Sequence, residues 1–420
     1  MAATYVHILS YTMVSDILDN IAYSIILSFP ILLLFLGCQP DTGSSSSAIY
    51  NVDYLGDRNV AIDTLTMEKV YLELDAGESS FQGFTHVNDG KLLLLDEQTS
   101  EMFTFDTNGN LVKRTLGRGE GPNELPGYEP MFYHTTPDGR HVFIGGMNDL
   151  YIFDEDLNRI STLQIGWQGV HPDALDGDID PENDRAYNMA YYLTNIRASN
   201  RFIYLALIGA PPLFLDDFNL ATEKYVREGR ILARIDIQTG EVVELIGRLS
   251  PVFAEKESVR YFAYPLFDVV NGDSLVFSFF PDPLIYRSDE KFHVINSFGV
   301  AGTAMNTEYR AMPDASDANE YRQYFLTERR ARGFYTSLSV FEDRDLIFRG
   351  YTRGQDAPSD GLQVYKEETL IADVDVPRHP SADPFEGFEI VGYIKPYFYS
   401  NVFTDDEYED IWVYRFKIEQ

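Results

Sequence analysis

Short apolar runs alternate with polar turns along this chain, and one such unit recurs five times. Each copy is an alternating strand, a polar turn and a second strand, closed by glycine in four copies and by proline in the fifth, which is typical of a β-hairpin. A half copy, Trp412–Gln420, ends the sequence. The five copies are Phe103–Gly117, Tyr151–Gly166, Ala233–Gly247, Ile285–Gly299 and Gln363–Pro377. Self-similarity at a fixed spacing predicts a repeat fold.

A further apolar strand precedes each hairpin, after a turn of its own. Leu92–Leu95 and His141–Gly146 are two examples, and Pro130–His134 predicts a fourth strand in the second unit. The closing residues recur about every 50 residues, with two units enlarged by about 30. Four-stranded units of this length are propeller blades. The sequence therefore predicts an all-β fold: a six-bladed β-propeller of four-stranded antiparallel blades with short helical insertions.

The last unit lacks a strand, and this absence predicts how the ring closes. After Phe388 the sequence offers strands around Pro396–Phe403 and over Asp410–Ile418, with no closing strand behind them. An unpaired edge is a liability that folds avoid. Lys69–Leu74 precedes the first blade and has the β-branched and aromatic content of a strand. We expect it to lie antiparallel beside Asp410–Ile418 as the outer strand of the last blade.

The N-terminal stretch is apolar and is followed by a polar segment. Ile21–Gly37 is an uncharged run of 17 residues that predicts a signal-peptide core. It ends at Gly37-Cys38, which resembles a bacterial lipobox, so we expect a lipoprotein signal peptide over residues 1–38 and lipidation of Cys38. No Lys or Arg precedes Arg58, and a plain membrane anchor or an uncleaved signal stays an alternative. A polar tether is predicted over residues 39–60 and the propeller over residues 61–420.

A glycine-rich loop follows the first hairpin. Three glycines and a proline between strands predict a connection between blades, and no helix or G-K-[ST] motif follows that would bind phosphate. The pattern G-x-G-x-G-P-x-E resembles the loop after the first blade in six-bladed propeller lipoproteins of Bacteroidetes-type bacteria. The residues that carry it are Gly117, Gly119, Gly121, Pro122 and Glu124. The resemblance implies a propeller lipid-anchored to the outer membrane, on its periplasmic or surface side, and it implies no chemistry.

The charge of the chain excludes some partners. It has 66 acidic and 33 basic residues, a formal net charge of −33. Such a surface repels nucleic acid and anionic membranes, so we expect no nucleic-acid partner. Solubility and adaptation to high salt both account for this balance. The single cysteine, Cys38, excludes a disulfide within the chain and a cysteine-based metal site.

Two enlarged units carry charged segments that are candidate sites. Asp176, Asp178 and Asp180 alternate in the first, which is compatible with a Ca²⁺ loop, although the EF-hand template fails and a solvated acidic loop is the alternative. In the second, Ser316–Gly333 predicts a helix. Its last turn concentrates Arg329, Arg330 and Arg332, a candidate anion or partner contact that also complements the helix dipole. A short helix is predicted over Phe218–Glu228.

No catalytic motif stands out. The seven histidines lack metal-ligand spacing. His134 and His141 bracket a turn, which is compatible with a pair that faces one another across two strands and with solvated or core-edge histidines. The aromatic stretch Tyr261–Phe267 is core or lines a face that stacks on sugars or peptides. No cofactor is predicted besides the Ca²⁺ candidate. We therefore expect a cell-envelope module that binds a protein, peptide or glycan and contacts the membrane through its lipid, with a propeller hydrolase or lyase using a divalent cation in the channel as the alternative.

Overall fold

The computed structural model describes most of the chain from residue 58 onward. The described residues are 58–74, 78–80, 82–126, 130–146, 148–167, 169, 179–190, 196–210, 218–270, 272–312, 318–380, 386–405 and 410–418. The predictions for the signal peptide, for Cys38 and for most of the tether lie outside these residues.

Six small antiparallel sheets form the fold, and we number them blades I to VI along the chain. Blade I comprises β3 (Gly83–Asn88), β4 (Lys91–Asp96), β5 (Glu101–Phe105) and β6 (Leu111–Leu116). Blade II comprises β7 (Pro130–Thr135), β8 (His141–Gly145), β9 (Asp149–Phe153) and β10 (Arg159–Gln164). Blade III comprises β11 (Tyr187–Met189), β12 (Ile196–Ala198), β13 (Phe202–Gly209), β14 (Leu232–Asp236) and β15 (Val242–Ile246), with β11 and β12 both paired to β13.

The second half of the ring repeats this arrangement. Blade IV comprises β16 (Pro265–Val270), β17 (Ser274–Phe279), β18 (Ile285–Ser288) and β19 (Val294–Phe298). Blade V comprises β20 (Tyr335–Phe341), β21 (Leu346–Tyr351), β22 (Asp360–Lys366) and β23 (Thr369–Val376), and β1 (Arg58–Ile62) is added to it. Blade VI comprises β24 (Ile390–Ile394), β25 (Tyr397–Thr404), β26 (Ile411–Phe416) and β2 (Glu68–Tyr71).

The first strands of the six blades contact one another around a closed ring: β3, β7, β12, β16, β20 and β24, which returns to β3. This arrangement is a six-bladed propeller with the first strands at its axis, as predicted. The five hairpins read from the sequence are the third and fourth strands of blades I to V. Buried aromatic side chains fill the spaces between neighbouring blades; Phe348 of blade V packs on Phe398 of blade VI at 4.7 Å between ring centroids.

Closure of the ring follows the prediction. Strand β2 pairs antiparallel with β26, with Glu68 opposite Arg415 and Tyr71 opposite Trp412. The strand begins one residue before the predicted Lys69 and ends at Tyr71, and the Leu72 N–H still donates to the Ile411 carbonyl at 2.9 Å. The N-terminal segment therefore supplies the outer strand that the last unit lacks.

One strand escaped the sequence analysis. Strand β1 lies parallel to β23 as a fifth strand on the outer edge of blade V, with Arg58 opposite Leu370 and Ile62 opposite Ala372. The sequence gives no hairpin signal for these five residues, because a tight hairpin turn joins antiparallel strands and β1 is parallel to its neighbour. The segment from β1 to β2 thus covers the outer edges of two consecutive blades, V and VI.

The fourth strands share an irregularity. In blades I to V the pairing of the third and fourth strands skips one apolar β-branched residue, which forms a β-bulge. In blades I to IV this residue is exposed: Val112, Ile160, Val243 and Ile295. In blade V it is Ile371, which lies beneath β1 and is only partly exposed. Bulges twist an outer edge and hinder its pairing with other chains.

Within the described residues, three α-helices lie in the connections between strands: α1 (Glu223–Glu228), α2 (Val252–Glu255) and α3 (Ala318–Ala331). The predicted helices over Phe218–Glu228 and Ser316–Gly333 are therefore confirmed, with shorter bounds. Because strand direction alternates within a blade, the connections that carry α1, α2 and α3 emerge on one side of the ring, here called the helix side. The other side, the turn side, joins first to second and third to fourth strands by short turns. Within the described residues no helix is long and apolar enough to cross a membrane.

Candidate functional site

Charged and polar side chains converge on the axis of the ring. His86 comes from β3, His134 from β7, Arg197 from β12 and Asp268 from β16, while Glu389 directly precedes β24. Five blades thus each contribute one side chain. Blade V contributes backbone groups of β20 instead. These five residues, here called the channel cluster, are the candidate functional site.

Arg197 is the centre of the channel cluster. Its Nε donates to Asp268 Oδ1 of the next blade at 3.0 Å, and its Nη2 donates to the Leu338 carbonyl of blade V at 3.4 Å. The same Nη2 lies 3.8 Å from Glu389 Oε1 of blade VI, on the opposite side of the ring from blade III. One guanidinium therefore crosses the channel and connects four of the six blades.

The two carboxylates are held in place by this cation and by backbone groups. Asp268 Oδ2 accepts the Val340 N–H of blade V at 2.9 Å, in addition to the bond from Arg197. Burial raises the pKa of Glu389, the positive charge of Arg197 opposes that rise, and the nearby Asp268 charge adds to it. Since the guanidinium lies between both carboxylates, it offsets part of their negative charge and takes the place that a bound cation would need.

The two histidines complete the cluster in uncharged form. His86 Nε2 hydrogen-bonds with Thr135 Oγ1 of blade II, and the His86 and His134 rings lie 5.2 Å apart. Burial lowers the pKa of His86 to about 3, with further contributions from the charges of Arg197 and His141. Burial and Arg197 also hold the pKa of His134 well below 6.5. Both rings are therefore neutral at pH 7.

His134 and His141 do not face one another across their strands. Thr135 is paired with His141 and His134 with Val142, so the two histidines lie on opposite faces of blade II. His141 is buried, and its Nδ1 hydrogen-bonds with the Tyr133 hydroxyl at 2.9 Å. Burial lowers the pKa of His141 to about 4. His141 is a core-edge histidine, as one of the interpretations left open by the sequence has it.

A depression of about 440 Å³ lies on the turn side of the channel cluster. Its lining comes from Pro137 of blade II, Ala198–Arg201 of blade III, Val269, Val270 and Asp273 of blade IV, and Glu342 of blade V. Ala198 and Val269 directly follow Arg197 and Asp268 in the chain, which places the depression at the mouth of the channel. Its volume lies within the range of small-molecule pockets.

On the helix side, tyrosines from two insertions meet. Tyr261 lies after α2, and its ring centroid is 5.7 Å from Tyr321 and 6.1 Å from Tyr324, both on α3. All three side chains are partly exposed, and the Tyr324 hydroxyl donates to the Arg310 carbonyl at 2.7 Å. Of the aromatic stretch Tyr261–Phe267, Phe262, Tyr264 and Phe267 are buried core, whereas Tyr261 reaches the surface.

The loop that carries the family resemblance is built around the carboxylate of Glu124. Glu124 Oε2 accepts the Gly121 N–H at 2.7 Å, and a Cβ at Gly119 would collide with this carboxylate. The Gly117 carbonyl accepts the Leu125 N–H at 2.8 Å, and the Pro122 carbonyl accepts the Arg159 N–H at 3.2 Å. The absence of a side chain at Gly119 therefore lets the Glu124 carboxylate lie against this part of the loop. The motif Gly117, Gly119, Gly121, Pro122 and Glu124 joins blade I to the outer strand of blade II, away from the channel cluster.

The three arginines at the end of α3 have different surroundings. Arg329 is buried, with its guanidinium over the rings of Phe280 and Phe334 at 4.6 and 4.5 Å. Arg332 Nε lies 3.3 Å from the fully buried carboxylate of Glu328. Arg330 alone is exposed. Two of the three side chains thus hold the helix in place, and an anion contact through Arg330 stays a prediction.

Of the acidic loop, only Asp180 belongs to the described residues; Asp176 and Asp178 lie outside them. Asp180 Oδ1 accepts the Glu182 N–H at 2.9 Å in a local turn. Among the residues that the structure describes, no group of three or more His, Asp or Glu side chains is arranged to hold a metal ion. Ca²⁺ binding by Asp176, Asp178 and Asp180 therefore stays a prediction.

Comparison with known proteins supports the fold. No protein-family model matches the chain, and neither does any curated protein. A solved structure of a DUF4221 family member from Bacteroides vulgatus ATCC 8482 is similar, with 14% identity and a TM-score of 0.56 over 85% of this chain and 100% of that one. So is a protein of Bacteroides fragilis NCTC 9343 whose description suggests export, with 11% identity and a TM-score of 0.50 over 87% of this chain and 99% of that one. At these identities the likeness shows the fold alone, and it comes from the bacterial group that the loop resemblance indicates.

Proposed function

We propose that this chain is a cell-envelope binding module, a lipid-anchored six-bladed propeller that recognises a protein, peptide or glycan on its helix side. The observation that carries the proposal is the placement of the insertions. All three α-helices of the described residues belong to connections on one side of the ring, and the opposite side has short turns. A rigid scaffold that concentrates its insertions on one side is typical of a recognition surface.

The insertions form one connected surface. Arg260, in the 3₁₀-helix after α2, donates to the Phe253 carbonyl at 2.9 Å and to the Ala221 carbonyl at 3.0 Å, and its guanidinium pairs with Glu223 of α1. The Tyr324 hydroxyl of α3 also lies 3.4 Å from the Ser258 carbonyl. The helix side is thus pre-organised, which lowers the entropy cost of binding.

The tyrosine cluster is the contact that we assign to the ligand. Tyr261, Tyr321 and Tyr324 combine apolar rings with polar tips, and tyrosine is enriched at protein interfaces for that reason. Glu257, Glu320 and Arg322, which are exposed on the same two elements, supply polar groups around the rings. Such a surface stacks on a sugar or receives a peptide side chain.

The alternative, a hydrolase or lyase with a divalent cation in the channel, receives less support. Such a mechanism needs carboxylates that are available to the ion. The two channel carboxylates, Asp268 and Glu389, already face the Arg197 guanidinium, at 3.0 and 3.8 Å. A cation would have to displace this arginine, and the positive charge of Arg197 would repel it.

The proposed location is the outer membrane, with Cys38 as the lipid attachment site. It rests on the apolar run that ends at Gly37-Cys38 and on the description of the Bacteroides fragilis neighbour as exported. The acidic surface suits this location, since it keeps the propeller away from anionic lipid headgroups and leaves attachment to the lipid chain.

The binding proposal is tested with the full chain on a glycan array and on an array of overlapping peptides. The matched variants are Tyr261→Ala with Tyr321→Ala on the helix side, and Val112→Ala with Ile160→Ala on the outer rim, where the side chains are exposed and make no proposed contact. Truncation of an energetically dominant contact residue costs about 2 kcal/mol or more, which weakens binding more than tenfold.

We expect array ligands that the wild type and the rim variant bind and the helix-side variant does not. Circular dichroism must show that all variants are folded. Binding that survives in the helix-side variant would assign recognition to another surface. A wild type that binds no glycan and no peptide on either array would contradict the proposed function.

A further inference from the structure

The depression on the turn side combines groups of opposite charge. Arg201 comes from the turn of blade III, Asp273 from the corresponding turn of blade IV, and Glu342 from that of blade V. Within the part of the chain that the structure describes, the Arg201 guanidinium makes no ion pair and packs over the Phe202 ring at 4.7 Å. One wall of the depression is therefore cationic and the other anionic.

Apolar groups line the same depression. Val269 and Val270 of blade IV, Ala198 of blade III and Pro137 of blade II contribute to the same lining. Pockets for small molecules are typically lined in this way, with an apolar surface that provides affinity and a few polar groups that fix orientation. The ligand that fits has a charge of each sign at its ends and an apolar middle.

The cationic wall is held in position by its neighbours. Asn200, beside Arg201, accepts the Asp138 N–H through Oδ1 at 3.0 Å, and its carbonyl accepts a bond from Arg140 Nη2 at 2.7 Å. The β7–β8 turn of the neighbouring blade II thus fixes the turn that presents Arg201. A site that is ordered before binding loses less entropy when the ligand arrives.

The size of the depression limits the ligand. A volume of about 440 Å³ corresponds to a sphere about 9 Å across. Two residues of an extended peptide span about 7 Å, and each further residue adds more than 3 Å. An extended dipeptide therefore matches the depression in length, whereas a tetrapeptide would reach beyond it.

We propose that the turn-side depression binds a free dipeptide or a zwitterion of similar size. Its carboxylate lies toward Arg201, its ammonium group toward Asp273 and Glu342, and its side chains contact Val269 and Val270. This site lies on the opposite side of the ring from the proposed recognition surface, and either assignment can fail without the other.

The test is isothermal titration of the full chain with Ala-Val, N-acetyl-Ala-Val and Ala-Val amide. Each capped form removes one charge of the probe and leaves its shape almost unchanged. A charge-assisted hydrogen bond is worth enough that its loss weakens binding by about tenfold. We expect saturable binding of Ala-Val and about tenfold weaker binding of both capped forms.

The variants assign each end of the probe. In Arg201→Gln, Ala-Val and its amide should bind equally well, while the acetylated form should still bind more weakly than Ala-Val. In Asp273→Asn with Glu342→Gln, Ala-Val and the acetylated form should bind equally well, while the amide should still bind more weakly than Ala-Val. Arg227→Gln, on the helix side, is the matched control and should bind as the wild type does. No saturable binding of Ala-Val, capped forms that bind equally well, or variants without effect on the discrimination would each overturn the proposal.

Discussion

Replacement of Arg197 by methionine is the perturbation that tests the channel cluster most directly. Methionine has a similar length and keeps most of the apolar contacts of the arginine stem, but it has no donor and no charge. Asp268 then loses its charged partner at 3.0 Å, and Glu389 loses the positive charge at 3.8 Å. Both carboxylates remain in a channel where little of the Asp268 side chain reaches solvent.

The magnitude follows from which contacts survive. Removal of one partner of a buried ion pair costs about 3–5 kcal/mol, because the other charge is left uncompensated. Asp268 keeps its bond from the Val340 N–H, and 35% of the Glu389 side chain is exposed, so screening reduces its share. We therefore expect the lower end of the range, a loss of about 3 kcal/mol of unfolding free energy.

A second substitution separates the energetic effect of an uncompensated buried charge from that of lost side-chain packing. Asp268→Asn in the Arg197→Met background removes the uncompensated charge and keeps an acceptor for the Val340 N–H. The double variant should therefore be more stable than Arg197→Met alone, by about 1–2 kcal/mol. Arg227→Met is the matched surface control; its side chain is 65% exposed and pairs with its chain neighbour Glu228, so its expected effect is below about 0.5 kcal/mol.

Urea unfolding at pH 7, followed by tryptophan fluorescence and by circular dichroism, measures these differences. Coincidence of the two transitions must be shown before a free energy is taken from either. The reasoning is refuted if Arg197→Met is no less stable than Arg227→Met, or if adding Asp268→Asn destabilises the chain further.

Other predictions follow from single contacts. His141 has a folded pKa of about 4 against 6.5 in the unfolded chain, so the unfolded state binds the extra proton and stability is lost as pH falls from 6.5 toward 4. Wild type should lose about 2 kcal/mol more than His141→Gln between pH 7.5 and 5, and equal losses would show that His141 is not buried as a neutral ring. Deletion through residue 75 should lower the melting temperature relative to deletion through residue 48, because it removes β1 and β2; equal melting temperatures would contradict closure. Labelled palmitate should enter the wild type and not Cys38→Ala. With a net charge of −33, the melting temperature should rise from low to high sodium chloride concentration, and a flat curve would argue against self-repulsion.

The hairpins were predictable because they are local. Both strands and the turn of a unit such as Tyr151–Gly166 lie within 16 residues, and the alternation of apolar and polar positions is visible without tertiary information. Closure by Glu68–Tyr71 was predictable for a different reason: the count of strands in the last unit was one short. Strand β1 met neither condition, since it pairs in parallel with a complete blade.

The channel cluster was beyond sequence reasoning. Its members are separated by about 50 residues or more along the chain, and they meet because each lies on or beside the first strand of a different blade. Nothing in the sequence distinguishes Arg197 from other arginines: it follows a stretch without charge, and its partner Asp268 is one of many carboxylates. The sequence also carries no sign that the ring beside His134 at the channel is His86 of another blade.

Different physical requirements apply at the centre of the ring and at its surface. A propeller of six blades brings six strand edges to one axis, where polar groups that are largely shielded from water need partners. Arg197 meets that demand in one side chain, since its guanidinium has five donors in a fixed plane and stays charged when buried. The two histidines beside it are kept neutral by burial and by its charge, so the cluster holds one cation against two carboxylates. Such an arrangement favours closure of the whole ring over any open form, in which Arg197 would face only part of its partners. Because the channel cluster occupies the axis in this way, we place the two proposed binding sites on surfaces whose contacts are not needed for closure. These are the helix side and the depression at the channel mouth on the turn side.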